Sequence, residues 1–248
     1  MKKFINKIAL GVSALAAAFM LFSCEPAEEV PDVYDGNMIS LGDYAGYFKE
    51  DSFKVYLVEE GLAGVPLAEY SYTYDENSLT LKLDKIYSIS KADANACGAK
   101  IANSTDDVEE IMNSFTKDTP YTPSAYLSLI KTIEKSFNNA APDVNDSQQR
   151  AAAITKLKKA ANKIVDGSTI KFDAGENGAL TPAVGDGKAL ALVDGVLFVA
   201  KSSELTEDET FSGNLTVAEV TESGSGSTGG NSDPGTDPDP DPSSGTGD

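Results

Sequence analysis

The stretch Ala68-Glu-Tyr-Ser-Tyr-Thr-Tyr-Asp-Glu-Asn-Ser-Leu-Thr-Leu-Lys-Leu83 alternates between apolar and polar side chains on both sides of a polar turn. Three tyrosines share one face of its first half and three leucines share one face of its second half: Tyr70, Tyr72, Tyr74, Leu79, Leu81 and Leu83. This period of two is typical of antiparallel strands with one buried face. The tyrosines are predicted either to line a core or barrel, or to face an apolar ligand or a protein partner.

Further strands are predicted before and after this hairpin. Apolar residues alternate with polar ones, or form short runs, in four more segments: 53–57, 170–172, 189–200 and 211–220. The third of these contains Asp194-Gly195 between two apolar runs, and Asp-Gly is a preferred pair in two-residue hairpin turns that need a positive φ. We therefore expect strands both early and late in the domain.

Between the early and late strands, the apolar period lengthens to that of a helix. Helix starts are predicted at Ser104 or Thr105, at Thr122-Pro123, and at Asp146-Ser-Gln-Gln149, which resembles a capping box. The three apolar stripes are Val108, Ile111, Met112 and Phe115; Tyr126, Leu129, Ile130, Ile133 and Phe137; and Ile154, Leu157, Ala161 and Ile164. We therefore expect three helices within about residues 104–166.

The order of these elements predicts an α+β fold. Its expected architecture is an antiparallel β-sheet, curled or barrel-like, with a three-helix insertion between the early and late strands. Residues 38–222 are long enough for one hydrophobic core and short for two, so a single globular domain is expected.

The first 24 residues have the pattern of an export signal. Three lysines precede an uncharged apolar run, residues 8–22, that is short for a membrane-spanning helix. The run ends in Leu21-Phe22-Ser23-Cys24, which resembles the lipobox of bacterial lipoproteins, with leucine at −3, a small residue at −1 and cysteine at +1. The resemblance implies removal of residues 1–23 between Ser23 and Cys24, diacylglycerol on the Cys24 sulfur, and acylation of the new amine by a fatty acid such as palmitate.

Two segments next to the globular domain have compositions that cannot form a core. Residues 24–37 are acidic and interrupted by proline, which predicts a flexible tether. In some Gram-negative lineages such residues resemble an export signal, which implies the outer membrane of the cell envelope and leaves the cell surface open. Residues 223–248 contain no apolar side chain other than proline, which predicts a disordered tail, either a spacer or a truncated linker.

A second resemblance covers residues 72–81, Tyr-Thr-Tyr-Asp-Glu-Asn-Ser-Leu-Thr-Leu. This segment resembles the hairpins of small bacterial lipocalin-like lipoproteins. The resemblance implies a carrier that encloses a small apolar ligand beneath its strands. The predicted helical insertion departs from the pattern of that family.

The balance of charge excludes one class of partner. The chain has 39 acidic and 20 basic residues, for a formal net charge of −19. It therefore repels phosphate backbones, and no nucleic-acid partner is expected. Four lysines cluster on the third predicted helix, where they indicate a solvated face or, alternatively, a docking patch for an acidic partner: Lys156, Lys158, Lys159 and Lys163.

The residues needed for several common chemistries are absent from the sequence. The chain contains no histidine, which excludes Ser-His-Asp and Cys-His catalysis and imidazole metal sites. With Cys24 acylated, Cys97 is the one free thiol, and its small neighbours predict a partly buried, unreactive side chain. We therefore expect no catalytic residue, no metal and no cofactor.

The leading hypothesis is a lipid-anchored envelope lipoprotein with a non-enzymatic binding or interaction role. Its expected partners are the membrane, through the anchor, and an unknown small ligand or protein. A carboxylate-dependent hydrolase is the alternative from another class, because acidic residues are abundant. That alternative requires two carboxyl groups that face each other across a cleft at roughly 5–10 Å.

Overall fold

The computed structural model describes residues 33–58, 64–140 and 147–220, which form eleven β-strands and four α-helices. The strands are β1 (Asn37–Leu41), β2 (Tyr44–Lys49), β3 (Ser52–Leu57), β4 (Ala68–Tyr74), β5 (Ser78–Ser88), β6 (Thr119–Tyr121), β7 (Thr169–Ala174), β8 (Ala179–Pro182), β9 (Lys188–Val193), β10 (Val196–Lys201) and β11 (Leu215–Glu219). The helices are α1 (Asp93–Asn103), α2 (Val108–Asn113), α3 (Pro123–Ala140) and α4 (Ser147–Lys163). The predicted signal segment, residues 24–32 of the predicted tether, and the predicted tail lie outside the described residues.

Eight of the strands form a closed antiparallel β-barrel. The strand order is β4-β3-β2-β1-β11-β8-β7-β5, and the pairing of β5 with β4 closes the ring. The short β6 pairs with the end of the long β5, outside this ring. The predicted antiparallel, barrel-like sheet and the α+β class are therefore confirmed.

Alternate residues of the barrel strands point inward and share one apolar core. The three leucines of β5 that the alternation assigns to one face are all buried. The sequence pattern does not predict β1 and β2, and β2 shows why. Its inward position Gly46 lies against the ring of Phe53, where a Cβ would fall 2.0 Å from Cζ, so the packing requires a residue that adds nothing to the hydrophobic pattern.

A β-bulge interrupts the pairing of β4 with β5. Tyr70 opposes Leu83 while Glu69 opposes Lys85, so Asp84 is the extra residue. The bulge shifts the alternation by one residue, and both Leu83 and the later Ile86 face the core. The Asp84 carboxylate accepts the backbone N–H of Ser71 at 2.9 Å, which satisfies a donor beside the interrupted ladder.

The hairpin of β9 and β10 forms a separate two-stranded sheet that closes one end of the barrel. Its turn is Asp194-Gly195, as predicted, with φ angles of 49° and 76°. Gly195 lies against Leu67 beside the start of β4, where a Cβ would fall 2.5 Å from Cδ1. The predicted hairpin is therefore present, but its strands belong to a cover and not to the main sheet. Its side chains in the barrel core include Leu190, Ala191, Val196, Leu197 and Phe198.

The opposite end of the barrel is covered by Tyr34, which lies within the predicted tether and is only 7% exposed. Its ring centroid lies 5.2 Å from that of Phe48 and 5.2 Å from that of Tyr74. The side chain of Asn37 donates to the backbone carbonyl of Val33 at 3.0 Å, which fixes the chain as it enters β1. Val33 and Tyr34, which the composition assigns to the tether, therefore belong to the packed barrel domain.

The helical insertion begins earlier than predicted, because α1 precedes residue 104. Its buried side consists largely of small residues, such as Ala94 and Cys97, so it lacks the stripe of large apolar side chains that marks the other helices. The first predicted helix is the short α2. Its N-cap is Asp107, which accepts the N–H of Glu109 at 2.8 Å, and the predicted caps at Ser104 and Thr105 are therefore wrong.

The other two predicted helices agree with α3 and α4. α3 begins at Pro123, and its predicted stripe is buried except for the half-buried Tyr126. α4 buries Ile154 and Ala161, while Asp146 of its predicted capping box lies outside the described residues. None of the helices in the described ranges is long and apolar enough to cross a membrane.

Candidate functional site

The predicted tyrosine row lies in the lining of the barrel. Tyr70 is fully buried, Tyr72 is 9% exposed, and Tyr74 is half-buried at the end of β4. The hydroxyl of Tyr72 donates to the backbone carbonyl of Glu50 at 2.5 Å, and its ring meets that of Phe48 edge-on at 5.1 Å. The row therefore packs inward, which is one of the two interpretations that the alternation permits. Any ligand of these tyrosines would have to enter the barrel.

The Tyr70 hydroxyl makes two hydrogen bonds with the closing hairpin. It donates to the Leu197 carbonyl at 2.9 Å and accepts the Leu197 N–H at 2.7 Å. Val193 and Val196 flank the two-residue turn as a hydrogen-bonded pair, and such pairs alternate with non-hydrogen-bonded pairs along an antiparallel ladder. Leu197 is therefore in a non-hydrogen-bonded pair with Leu192, and its backbone N–H and C=O both point away from β9. Without Tyr70, these two buried groups would have no partner from the hairpin. Burial raises the pKa of Tyr70 far above its ordinary value, although the bond with Leu197 opposes the shift, so the hydroxyl keeps its proton.

A chain of aromatic rings lies in the barrel core between Tyr34 and the β9–β10 hairpin. Ring centroids lie 4.6 Å apart for Phe48 and Phe53, and 5.7 Å apart for Phe53 and Tyr70. Phe172 enters the same core from β7 and is fully buried. An eight-stranded antiparallel barrel is compatible with a lipocalin-like binder, but a barrel of this size can also be filled entirely by its own side chains. In this barrel, the described aromatic and aliphatic side chains form one buried cluster in the interior.

A polar surface depression with a volume of about 270 Å³ lies beside the β-bulge between β4 and β5. It is lined by Glu50, Asp51, Ser52, Glu69, Tyr70, Ser71 and Asp84. Four of these residues are acidic, and the carboxylate-dependent hydrolase alternative requires carboxyl groups that face each other across such a depression.

Glu69 is the most strongly held carboxylate of this depression. It accepts from Lys85 Nζ at 2.6 Å and from the Tyr87 hydroxyl at 2.8 Å, and Lys54 Nζ lies 3.6 Å away. Burial would raise the pKa of Glu69, but these neighbours outweigh it and hold the pKa below its usual range. Burial and the contact with Glu69 also raise the pKa of Tyr87 to about 12. Because a carboxylic general acid needs a raised pKa, Glu69 is suited to an ion pair and not to proton donation.

Another surface depression, with a volume of about 640 Å³, lies between one face of α4 and the segment 204–209. We call it the α4 groove. Its lining residues are Ala152, Thr155, Lys156, Lys159, Asn162, Lys163, Glu204, Thr206 and Glu209. The members from α4 recur at helical spacing, so they form one continuous strip along the helix.

A buried ion pair lies in this groove. Lys163 Nζ is 2.7 Å from one carboxylate oxygen of Glu209 and 2.9 Å from the other, and both side chains are largely buried. The Glu209 carboxylate also accepts the N–H of Thr206 at 2.8 Å. Burial would raise the pKa of Glu209, but Lys163 and Thr206 lower it below its usual range. The sequence pattern does not reveal this pair, because the two residues are 46 positions apart.

The four clustered lysines have different environments. Lys158 pairs with Glu134 of α3 at 2.7 Å, and Lys163 pairs with Glu209. Lys156 and Lys159 are exposed, and within the described ranges no carboxylate lies at ion-pair distance from either of them. The predicted solvated face therefore agrees with the exposed Lys156 and Lys159 and with the partly exposed Lys158, and it is wrong for Lys163, whose side chain is largely buried.

Of the two cysteines, Cys97 lies within the described residues and Cys24 does not. Cys97 is fully buried in the helical cluster, and burial raises the pKa of its thiol to about 11, with Lys100 and Lys117 acting in the opposite direction. The thiol is therefore protonated and sheltered, in agreement with the predicted inert side chain. Cys24 and Ser23, the predicted lipidation and cleavage residues, lie outside the described residues.

Among the residues that the structure describes, no group of three or more acidic, cysteine or histidine side chains is arranged to hold a metal ion. No protein-family model, no curated protein and no solved structure matches this chain.

Proposed function

We propose that this chain is a lipid-anchored lipoprotein of the bacterial envelope whose barrel domain is a non-enzymatic interaction module. The lipobox-like Leu21-Phe22-Ser23-Cys24 supports the anchor. The packed barrel supports the interaction role. Because both ends are covered and the interior is occupied by side chains, the outer surface is what the domain offers to a partner.

The bond between Tyr70 and Leu197 supports this interpretation of the barrel. A ligand that entered past the hairpin would have to separate these two residues and expose buried backbone groups. Breaking such bonds without replacement costs about 1–3 kcal/mol for each group. A rigid, closed barrel is thus favoured over one that opens readily.

A lipocalin-like carrier is the second candidate function. It is favoured by the closed eight-stranded barrel and by the resemblance of residues 72–81. In this candidate, the β9–β10 hairpin moves aside and an apolar ligand replaces part of the aromatic chain. The two candidates differ in whether the purified protein contains a small molecule.

A catalytic role is not part of the proposal. The most strongly held carboxylate of the acidic depression, Glu69, is engaged with two lysines and a tyrosine, and its pKa is lowered. This ionised, paired state supports a structural role for Glu69 on the outer face of the barrel.

The anchor is tested by labelling cells with a radioactive fatty acid. The wild type and the control Cys97→Ala should incorporate the label, and Cys24→Ala should not, because its thioether cannot form. Continued labelling of Cys24→Ala would show that the lipid is attached elsewhere or absent from this residue, and would overturn the proposed anchor.

A further inference from the structure

The α4 groove carries two lysines that form no ion pair with a carboxylate of the described residues. Lys163 is neutralised by Glu209, and Glu204 is engaged by Lys201 at 3.1 Å. Lys156 and Lys159 are exposed on the same strip, with no carboxylate of the described segments at ion-pair distance. Lys156 also interacts at longer range with the buried Asp194 carboxyl group, whereas no carboxylate of the described segments forms an ion pair with either exposed ammonium group. Two ammonium groups without an ion pair beside a groove are unusual in a chain with a net charge of −19. An acidic occupant is therefore indicated.

The spacing of the lysines along α4 sets a requirement on that occupant. With a helical rise of 1.5 Å per residue, Lys156, Lys159 and Lys163 lie at intervals of about 4.5 and 6 Å along the axis. The sequence contains a matching series of carboxylates in Asp237-Pro-Asp239-Pro-Asp241. A residue before proline favours an extended conformation, and an extended chain with about 3.1 Å per residue separates alternate residues by about 6 Å. The two charge series thus have similar periods.

Length permits the segment to reach the groove. The last described residue, Val220, follows β11, and the groove lies beside the hairpin, since the Leu192 N–H donates to the Glu209 carbonyl at 3.0 Å. A barrel strand of six residues is about 20 Å long. The connection from 221 to 236 can span about 50 Å at 3.3 Å per residue, which is more than enough to cross the barrel.

Electrostatics favours this intramolecular segment over an acidic partner from outside. A chain with a net charge of −19 repels acidic macromolecules at a distance, which slows their approach to a small basic groove. A covalently linked segment needs no such encounter, and its effective concentration near the groove is set by the length of the linker.

We propose that the α4 groove binds the Asp-Pro segment 237–241 of the same chain, with the carboxylates of Asp237 and Asp239 placed on Lys156 and Lys159. The segment covers the exposed strip of α4. This inference does not depend on the lipid anchor or on the contents of the barrel.

The reactivity of individual lysines tests the proposal. The full mature chain, purified from its envelope in non-ionic detergent, is exposed to an acetylating reagent, and the rate at each lysine is measured by mass spectrometry. We expect Lys156 and Lys159 to react at least about twofold faster in the variant Asp237→Asn/Asp239→Asn/Asp241→Asn than in the wild type, because a paired ammonium is shielded. Raising the salt concentration to about 0.5 M should remove the difference. Exposed Lys131 and Lys188 serve as internal references.

A matched variant controls for the change in net charge. Glu76→Gln/Glu176→Gln/Asp186→Asn removes three exposed acidic charges elsewhere and should leave both groove lysines as slow as in the wild type. Equal rates in the wild type and the tail variant would overturn the proposal. So would acceleration in the control variant, which indicates a net-charge effect. Protection in the wild type that grows with protein concentration would overturn it in favour of a second copy of the chain.

Discussion

Tyr70 shows how a single hydroxyl joins two parts of the fold that lie 127 positions apart in the sequence. The alternation of β4 predicts that its ring faces inward, but it contains no information on the partner of the hydroxyl. That partner is the backbone of Leu197, whose side chain identity is irrelevant to the bond. Sequence reasoning therefore finds the buried ring and misses the contact that gives it a specific role.

Replacing Tyr70 by phenylalanine tests that role. The change keeps the ring and leaves the buried N–H and C=O of Leu197 without their partner, so the free energy of unfolding should fall by about 2–4 kcal/mol. Urea unfolding followed by circular dichroism measures the change. Tyr47→Phe, at a half-buried position on β2, is the control and should stay within about 0.5 kcal/mol of the wild type. A loss as small as that of the control would contradict the role given to Tyr70.

The ion pair of Lys163 with Glu209 predicts how stability depends on pH. The pKa of Glu209 is lower in the folded chain than its usual value, so its contribution to stability is complete above the unfolded pKa of about 4.3 and is lost as the pH falls through the folded pKa. Unfolding free energies measured from about pH 6 down to pH 3 should therefore decrease more steeply for the wild type than for Glu209→Gln. Parallel curves would show that Glu209 is not held in this way.

At the scale of elements, the β9–β10 hairpin is formed by a local sequence signal, but its position in the fold is set by long-range contacts. The Asp-Gly turn is a local signal, so the sequence predicts both strands and their connection correctly. The position of the hairpin over the barrel depends on contacts with Leu67 and Tyr70, which lie far away in the chain. The same distinction applies to α1, whose small residues allow it to pack closely against α3. A Cβ on Gly98 would fall 2.4 Å from the Ile133 carbonyl oxygen, and this contact is not evident from the sequence of α1 alone.

The fit of the hairpin against β4 is tested by Gly195→Ala. The residue has a φ of 76°, and the added Cβ would fall 2.5 Å from Leu67 Cδ1. We expect a loss of about 1–3 kcal/mol in unfolding free energy, from the strained backbone and the steric contact together. Gly185→Ala is the matched control, because nothing lies within 4 Å of its Cβ position, and thermal and urea unfolding should hardly change. Equal effects of the two substitutions would refute the described fit.

At the scale of the whole molecule, the sequence predicts the class of the fold better than its closure. Period-two segments on both sides of a helical region are enough to predict an α+β chain with an antiparallel sheet. Besides the local β4–β5 hairpin, closure requires the pairing of β1 with β11, in which Asn37 faces Glu219, 182 positions later in the chain. No local pattern specifies such a pairing, because it is set by how the complete set of inward side chains packs.

The α4 groove is likewise only partly predictable from the sequence. The lysine cluster on α4 is evident from the sequence, and helical spacing correctly places its members on one element. The groove beside it is formed with residues 204–209, and neither the spacing nor the composition of α4 indicates that segment. The sequence thus supplies one wall of the site, and the tertiary structure supplies the other wall and the buried Lys163–Glu209 pair.

The central claim is that a lipid holds the chain at a membrane while its barrel is filled by its own side chains. Native mass spectrometry of the protein, purified from its own envelope in mild detergent, tests both parts in one measurement. The account predicts the mass of the polypeptide from Cys24 onward plus its acyl groups, with no further small molecule. A reproducible additional mass that disappears on denaturation would contradict the filled barrel and identify a carrier. A mass without acyl groups would contradict the anchor.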